Sequence, residues 1–442
     1  MVSDAVSAPA RRSTPYVRRL FLTLFLLALY FYGQKLPLPG IDEHALRSLP
    51  IPSPGRFLWS ILSLGPIPLF FGFLLVELFS LLTPPGRRLR RLGVAGRARL
   101  NRAALITSLL IAGAQAAGIA FWMETMSSPW GSPVVEAPGL GFLLLTTLTL
   151  TAATAALFVL CQLISTYGIG NGFALVILMP IVMSILRRGA AVLQNSDSSS
   201  QHGLEVLLFL GTLALVVYFI RTAEDSWLPA FPQGTIPALA ALVLAPVGVA
   251  FVRFFPLGSI SNSMVVMVLI TIPLLSWLTF HLFSSRSRLQ ASLFDTDELL
   301  DELAAALRRR AGIATALLTL GTAGFMAWHF YHSEAVASSL GFTDVIVLAA
   351  IGLDLWDQFR FQRRHGEAAL LVQLDNVHFS YRLEEELQEE GIAALARGHQ
   401  LRSLYFFFGA LYKIDMLVPA DQLGRAREVL AQLEMAREVR VF

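Results

Sequence analysis

Four ionisable side chains lie within otherwise apolar stretches of this chain: Glu77, His281, Asp344 and Asp354. An isolated charge at the centre of a membrane helix costs roughly 2.5–3.5 kcal/mol or more, so these are the first candidates for a proton relay or an ion site. None falls in a run of carboxylates or histidines that could pass a proton. Snorkelling at a helix end, or pairing with a nearby arginine, is the favoured reading for each. The lone Cys161 sits in an apolar run, which rules out a disulfide framework. Gly168, Gly170 and Gly172 lie close together, but no lysine and hydroxyl pair follows them, so they form no phosphate cradle. The sequence holds no metal-ligand spacing, nucleophile elbow or nucleotide loop. It predicts no enzyme, no catalytic residue, no metal and no cofactor.

The elements around these residues are apolar and long. Hydrophobic residues make up 55% of the 442 and charged residues 15%, with a mean hydropathy of +0.62. Those values belong to polytopic membrane proteins. A span needs roughly 20 apolar residues, and ten candidates are found at about 17–36, 57–82, 101–123, 141–164, 172–188, 203–221, 235–253, 261–283, 311–331 and 342–360. The net charge of +3 comes mainly from arginines at the ends of these runs, a topology signal rather than a nucleic-acid surface. With the N-terminus inside, twenty Lys and Arg fall on inside segments and six on outside segments. That asymmetry predicts both termini in the cytoplasm. The first apolar run, Leu20 to Leu36, lacks a small-residue cleavage site and reads as a retained helix.

Between the fourth and fifth runs stands Ile164-Ser165-Thr166-Tyr167-Gly168-Ile169-Gly170-Asn171-Gly172. Its glycines and asparagine tolerate the backbone of a tight reversal. The string resembles the Ile-Thr-Glu-Arg-Gly-Ile-Gly-Asn-Gly turn of the SecY family, the channel subunit of the bacterial protein-export translocon. Further landmarks follow in the family's order. Leu36-Pro37-Leu38-Pro39-Gly40-Ile41-Asp42 resembles the exit of its first helix, and Ser60 to Pro68 the break within its second. Gly93 to Asn101 resembles the entry to its third helix, with Gln115 to Gly118 following, and Leu148 to Thr154 its fourth. Gly341-Phe342-Thr343 with Ile351 to Gln358 resembles its tenth, although the second half matches less well.

The resemblance covers about residues 15–365 and implies an all-α polytopic membrane protein. Its ten transmembrane helices would form an inverted-repeat clamshell of two five-helix halves. It implies a bacterial inner-membrane channel that passes unfolded polypeptide, or releases helices into the lipid bilayer between the second and third helices and the seventh and eighth. The seal would be an apolar ring, placed by the family's motifs on Phe70, Leu74, Ile177, Ile181, Leu239 and Val347, which excludes ions by dewetting. SecE-like and SecG-like small subunits are the implied partners. The connections that should dock SecA or a ribosome, Arg221 to Gly234 and Ser284 to Ala311, are short, which speaks against both partners. Asp42 to Pro54 leaves little chain for a plug. The alternative is a non-conducting paralogue serving as a membrane assembly scaffold. A small-molecule transporter would need polar residues converging at mid-membrane, and none are found.

Residues 1–16 read as a cytoplasmic tail and 17–365 as the channel domain. Residues 366–442 read as a small cytoplasmic α+β domain, with strands at Ala368–Leu374, Ile392–Arg397 and Lys413–Val418 and helices at Val377–Glu390 and Ala420–Glu434. Leu387 to Gly398, with Leu417 to Ala426, resembles a small bacterial domain of unknown function assigned to signal transduction. Phe406-Phe407-Phe408 is either core or an exposed apolar patch.

Overall fold

The computed structural model describes residues 16–42, 44–45, 59–91, 93–127, 131, 133–194, 199–224, 230–231, 260–283, 297–332, 341–374, 377–405 and 412–440. The seventh expected span with Leu239, most of the segment from Asp42 to Pro54, the triplet Phe406–Phe408 and nearly all of the N-terminal tail lie outside them. The chain forms two compact units, one holding residues 12–179 and the other 180–442.

The first unit contains α1 (Tyr16–Gly33), α2 (Ile67–Leu82), the short basic α3 (Pro84–Arg91), α4 (Gly93–Glu124), α5 (Leu140–Tyr167) and the start of α6 (Gly172–Gln194). Helix α4 packs between α2 and α5. Ala104, Ser108, Ala112, Ala116 and Ala120 recur every fourth residue along it and are all buried. Lipid offers little hydrophobic drive for helices to associate, so small side chains that admit close backbones hold such pairs together. The contact is tight enough that a β-carbon on Gly72 of α2 would sit 2.6 Å from the Cα of Ser108.

At one end of this unit the polypeptide is stitched by backbone bonds. Leu38 N–H donates to Trp59 O at 2.9 Å and Ile61 N–H to Leu36 O at 3.0 Å. Asp42 N–H donates to Val134 O and Glu136 N–H to Gly40 O. Two of the sequence landmarks, the Pro-Gly exit of the first helix and the Gly-Pro break before the second, thus lie side by side. Trp59, buried and stacked 5.7 Å from Trp122, sits in the apolar cluster beneath them with Leu38, Ile41, Val135 and Phe142. The expected span at 57–82 is therefore helical only from Ile67. Trp59 to Pro66 forms turns because Gly65 and Pro66 interrupt it.

The second unit continues α6 and adds α7 (Ser199–Glu224), α8 (Ile260–Phe283), α9 (Asp297–His332) and α10 (Phe342–His365). Helix α10 is buried over much of its circumference, by Val345, Ile346, Ala349, Ala350 and Leu353 among others, and packs against α7 and α9. Helix α9 differs from expectation. The acidic stretch from Asp297 and the triplet Arg308-Arg309-Arg310 are not a separate connection but the opening of one unbroken helix, acidic first and basic later. Among the described residues, three helical stretches are long and apolar enough to cross a membrane, Gly96–Glu124, Leu140–Tyr167 and Ala304–Ala327.

After α10 come β1 (Ala368–Leu374), α11 (Val377–Glu389), β2 (Leu395–Arg397), α12 (His399–Leu404), β3 (Ile414–Pro419) and α13 (Leu423–Arg440). The sheet is antiparallel in the order β1-β3-β2. Ile414, Met416 and Val418 alternate toward an apolar core completed by Leu383 and Leu387 of α11 and Leu430 of α13. The second strand is shorter than expected because Ile392 closes the preceding helix, donating from N–H to Leu387 O at 2.8 Å. Helix α12 was not anticipated.

If the small-residue seam of α4 sets its distance from α2 and α5, Ala116→Leu should cost about 1–3 kcal/mol by overpacking. Thermal unfolding of the detergent-solubilised protein would show this as a lowered transition, whereas the same change at the half-exposed Ala117 should leave it within error.

Candidate channel site

The reversal between α5 and α6 is built so that each of its four singled-out residues has a distinct task. Helix α5 ends with Gly168 N–H donating to Ile164 O at 2.8 Å. Ile169 N–H would then be left without a helical acceptor. It donates instead to Thr23 Oγ1 of α1 at 2.8 Å, while the Thr23 hydroxyl donates to Arg19 O. Gly170 takes φ +72°, the left-handed region. Asn171 caps α6, its Oδ1 accepting from Phe173 and Ala174 N–H at 3.0 and 3.3 Å. Gly172 N–H donates to Ser165 Oγ at 2.8 Å. A β-carbon on Gly172 would lie 2.1 Å from Cys161 O, so the crossing of the two helices requires glycine there. Thr23 and Ser165 were not singled out from the sequence. A hydroxyl on an apolar helix gives no local sign that a turn more than a hundred residues away needs its oxygen.

The turn sends α6 off with Ile177 and Ile181 one turn apart on one face, and Phe70 and Leu74 stand in the same relation on α2. Phe70, Leu74 and Ile177 are half-buried, while Ile181 is buried. Val347 is buried on α10, and Leu239 lies outside the described residues. Inside α6, Pro180 has no N–H to give the preceding turn. The described part of the site therefore offers apolar surface and a fixed backbone reversal.

The four ionisable residues of the apolar stretches each meet a neighbour in the structure. Glu77 of α2 pairs with Arg97 of α4 at 3.4 Å. Asp344 accepts from Gly341 N–H at 2.8 Å and caps α10. His281 lies against Trp277 near the end of α8. Asp354 accepts from Leu401 N–H of α12 at 3.4 Å. Among the described residues, no group of three or more His, Cys, Asp and Glu is placed to hold a metal ion.

Comparison with known proteins finds a likeness over part of the chain. The SecY family model matches residues 60–226, from the turn before α2 to the end of α7. The protein translocase subunit SecY of Aquifex aeolicus is 32% identical over 227 residues, 47% of this chain and 52% of that protein. Over this segment the chain is similar to the SecY family. The corresponding subunit of Rickettsia bellii is 29% identical over 48% of the chain and 51% of its own length. The chain thus spans about half the length of the curated relatives it matches. A solved structure reported as showing that the SecY plug domain stabilises the closed state of the translocation channel shares the fold. Its TM-score is 0.50 at 14% identity, with 80% of this chain and 94% of that one covered. The SecY-matched segment contains the α5–α6 reversal, Phe70, Leu74, Ile177 and Ile181, whereas Leu239 and Val347 fall beyond it.

Thr23→Val should leave Ile169 N–H unpaired and cost about 1–3 kcal/mol, and Asn171→Ala about 1 kcal/mol. Asn171→Asp, which retains the capping oxygen, should remain near wild type. Unfolding transitions of the three variants in detergent check the order.

Proposed function

We propose that this chain is the pore-forming subunit of a protein-conducting channel in a bacterial inner membrane. It would carry ten transmembrane helices with both termini cytoplasmic, and would move unfolded polypeptide across the bilayer or release helices into it. The observation that carries this reading is the SecY match over residues 60–226, which takes in two apolar faces, Phe70–Leu74 and Ile177–Ile181, joined to a reversal fixed by Thr23, Asn171 and Gly172. In this reading Phe70, Leu74, Ile177, Ile181, Leu239 and Val347 form the ring that closes round the passing chain. Apolar side chains do this by excluding water when nothing is threaded between them. Residues 17–365 are the channel domain and 366–442 a cytoplasmic appendage. A SecE-like helix would clamp the halves and a SecG-like subunit would flank them. SecA and ribosome docking are left out of the proposal, because the chain from 221 to 234 and from 284 to 296 is too short to project far.

A second reading, a non-conducting scaffold, is favoured by one feature. The C-terminal region is packed into its unit by six residues of α12 that are all buried, as expected of a part that organises structure rather than one that trails from it.

Conductance in planar bilayers separates the two. Phe70→Gly with Ile181→Gly should raise resting ion flux about tenfold or more over wild type if these residues seal a pore. Silence of both proteins, after insertion has been verified, would favour the scaffold.

A further inference from the structure

The C-terminal half of α10 is gripped on two adjacent faces. On one, Asp357 receives both guanidinium nitrogens of Arg221 from α7, at 2.8 and 2.9 Å. On the other, one turn earlier, Asp354 receives Leu401 N–H of α12, and Gln358, one turn after Asp354 along the helix, is buried. β2 packs against α10 as well. Beneath α7 and α9 the arrangement is braced again, since Arg310 donates to Phe219 O at 2.7 Å and lies over the Phe219 ring.

What distinguishes the α12 side is its chemistry. Four of its six residues are polar, and His399, Gln400, Arg402 and Ser403 are all at least nine-tenths buried. Their polar atoms are engaged. His399 Nδ1 is 2.7 Å from Ala396 O and its Nε2 is 3.0 Å from the amide of Gln400, while the Ser403 hydroxyl donates to Gln400 O at 2.7 Å. Tyr381 of α11 lies edge-on to the His399 ring. An apolar contact loses its full transfer energy when it opens, about 25 cal/mol per Å². A polar contact exchanges its hydrogen bonds for water and loses far less per bond. These bonds of His399 and Ser403 run within residues 396–403, and the bond that crosses to α10 runs from Leu401 N–H to Asp354, where it can be exchanged for water at small cost.

We infer that the C-terminal region is a reversible latch acting in cis on α10, with α12 as the engaging element and Asp354 as its catch, and that α12 must disengage for α10 to shift. The inference rests on the channel reading, in which α10 carries the ring residue Val347. Movement of α10 then requires the Asp354–Leu401 contact to open, so the energy of that contact is added to the energy of channel opening.

The test compares the full chain with its Asp354→Ala variant. Passage of an unfolded polypeptide into proteoliposomes should rise about tenfold in the variant, the scale of ordinary coupling between sites, and hydrogen exchange should quicken about tenfold across 399–404 and 353–365. Unchanged exchange in both segments of the well-folded variant would overturn the latch, as would faster exchange with unchanged transport. Absence of transport in both proteins would count against the channel reading instead, and the exchange result alone would then decide the latch.

Discussion

A polypeptide that leaves one apolar helix and enters another must find partners for the amides and carbonyls freed at the reversal, because hydrocarbon offers none. At the α5–α6 reversal the requirement is met with groups from three places: Thr23 on α1, Ser165 on α5 itself and Asn171 in the turn. The positions of α1, α5 and α6 are fixed together by this one set of bonds. Everything proposed for the channel depends on it, since it determines which face of α6 carries Ile177 and Ile181.

Elsewhere the molecule relies on closeness more than on bonds. The alanine and serine seam of α4 lets α2 approach until Gly72 lies over Ser108, and the ion pair between Glu77 and Arg97 lies on the same two helices. The second unit is organised differently. Its central helix, α10, is held by a bidentate ion pair to α7 and by a polar contact to α12. The first unit thus adds a small-residue seam to its ion pair and hydrogen bonds, whereas charged and polar pairing marks the C-terminal half of α10 in the second.

Much of this was legible in the sequence where a local rule applied. The glycines and asparagine of the reversal announced a tight turn, and β1 was delimited by its apolar pattern. Arginine-rich helix ends and apolar runs located most helices to within a few residues. What was not legible depended on distant partners. His399-Gln400-Leu401-Arg402-Ser403-Leu404 carries no apolar pattern that marks an element, yet all six residues are buried, because α10 and α11 pack against them. Thr23 looks like any hydroxyl on an apolar helix. The charge order of residues 297–310, acidic first and basic later, reads as a capped helix, but nothing in it showed that this helix continues into the apolar run without a break. The ring positions carried no signature of their own, since apolar residues surround them on every side, and were placed only by counting from Pro68, the glycine turn, Pro237 and Gly341.

The central claim is that polypeptide passes along the faces of α2 and α6. A photoreactive phenylalanine analogue placed at Leu74, and separately at the adjacent and outward Leu75, addresses it most directly in the presence of a stalled translocating chain. The account predicts adducts to the polypeptide from position 74, and adducts to lipid or to nothing from position 75. Equal labelling at both positions, or none at either with the polypeptide demonstrably engaged, would contradict it.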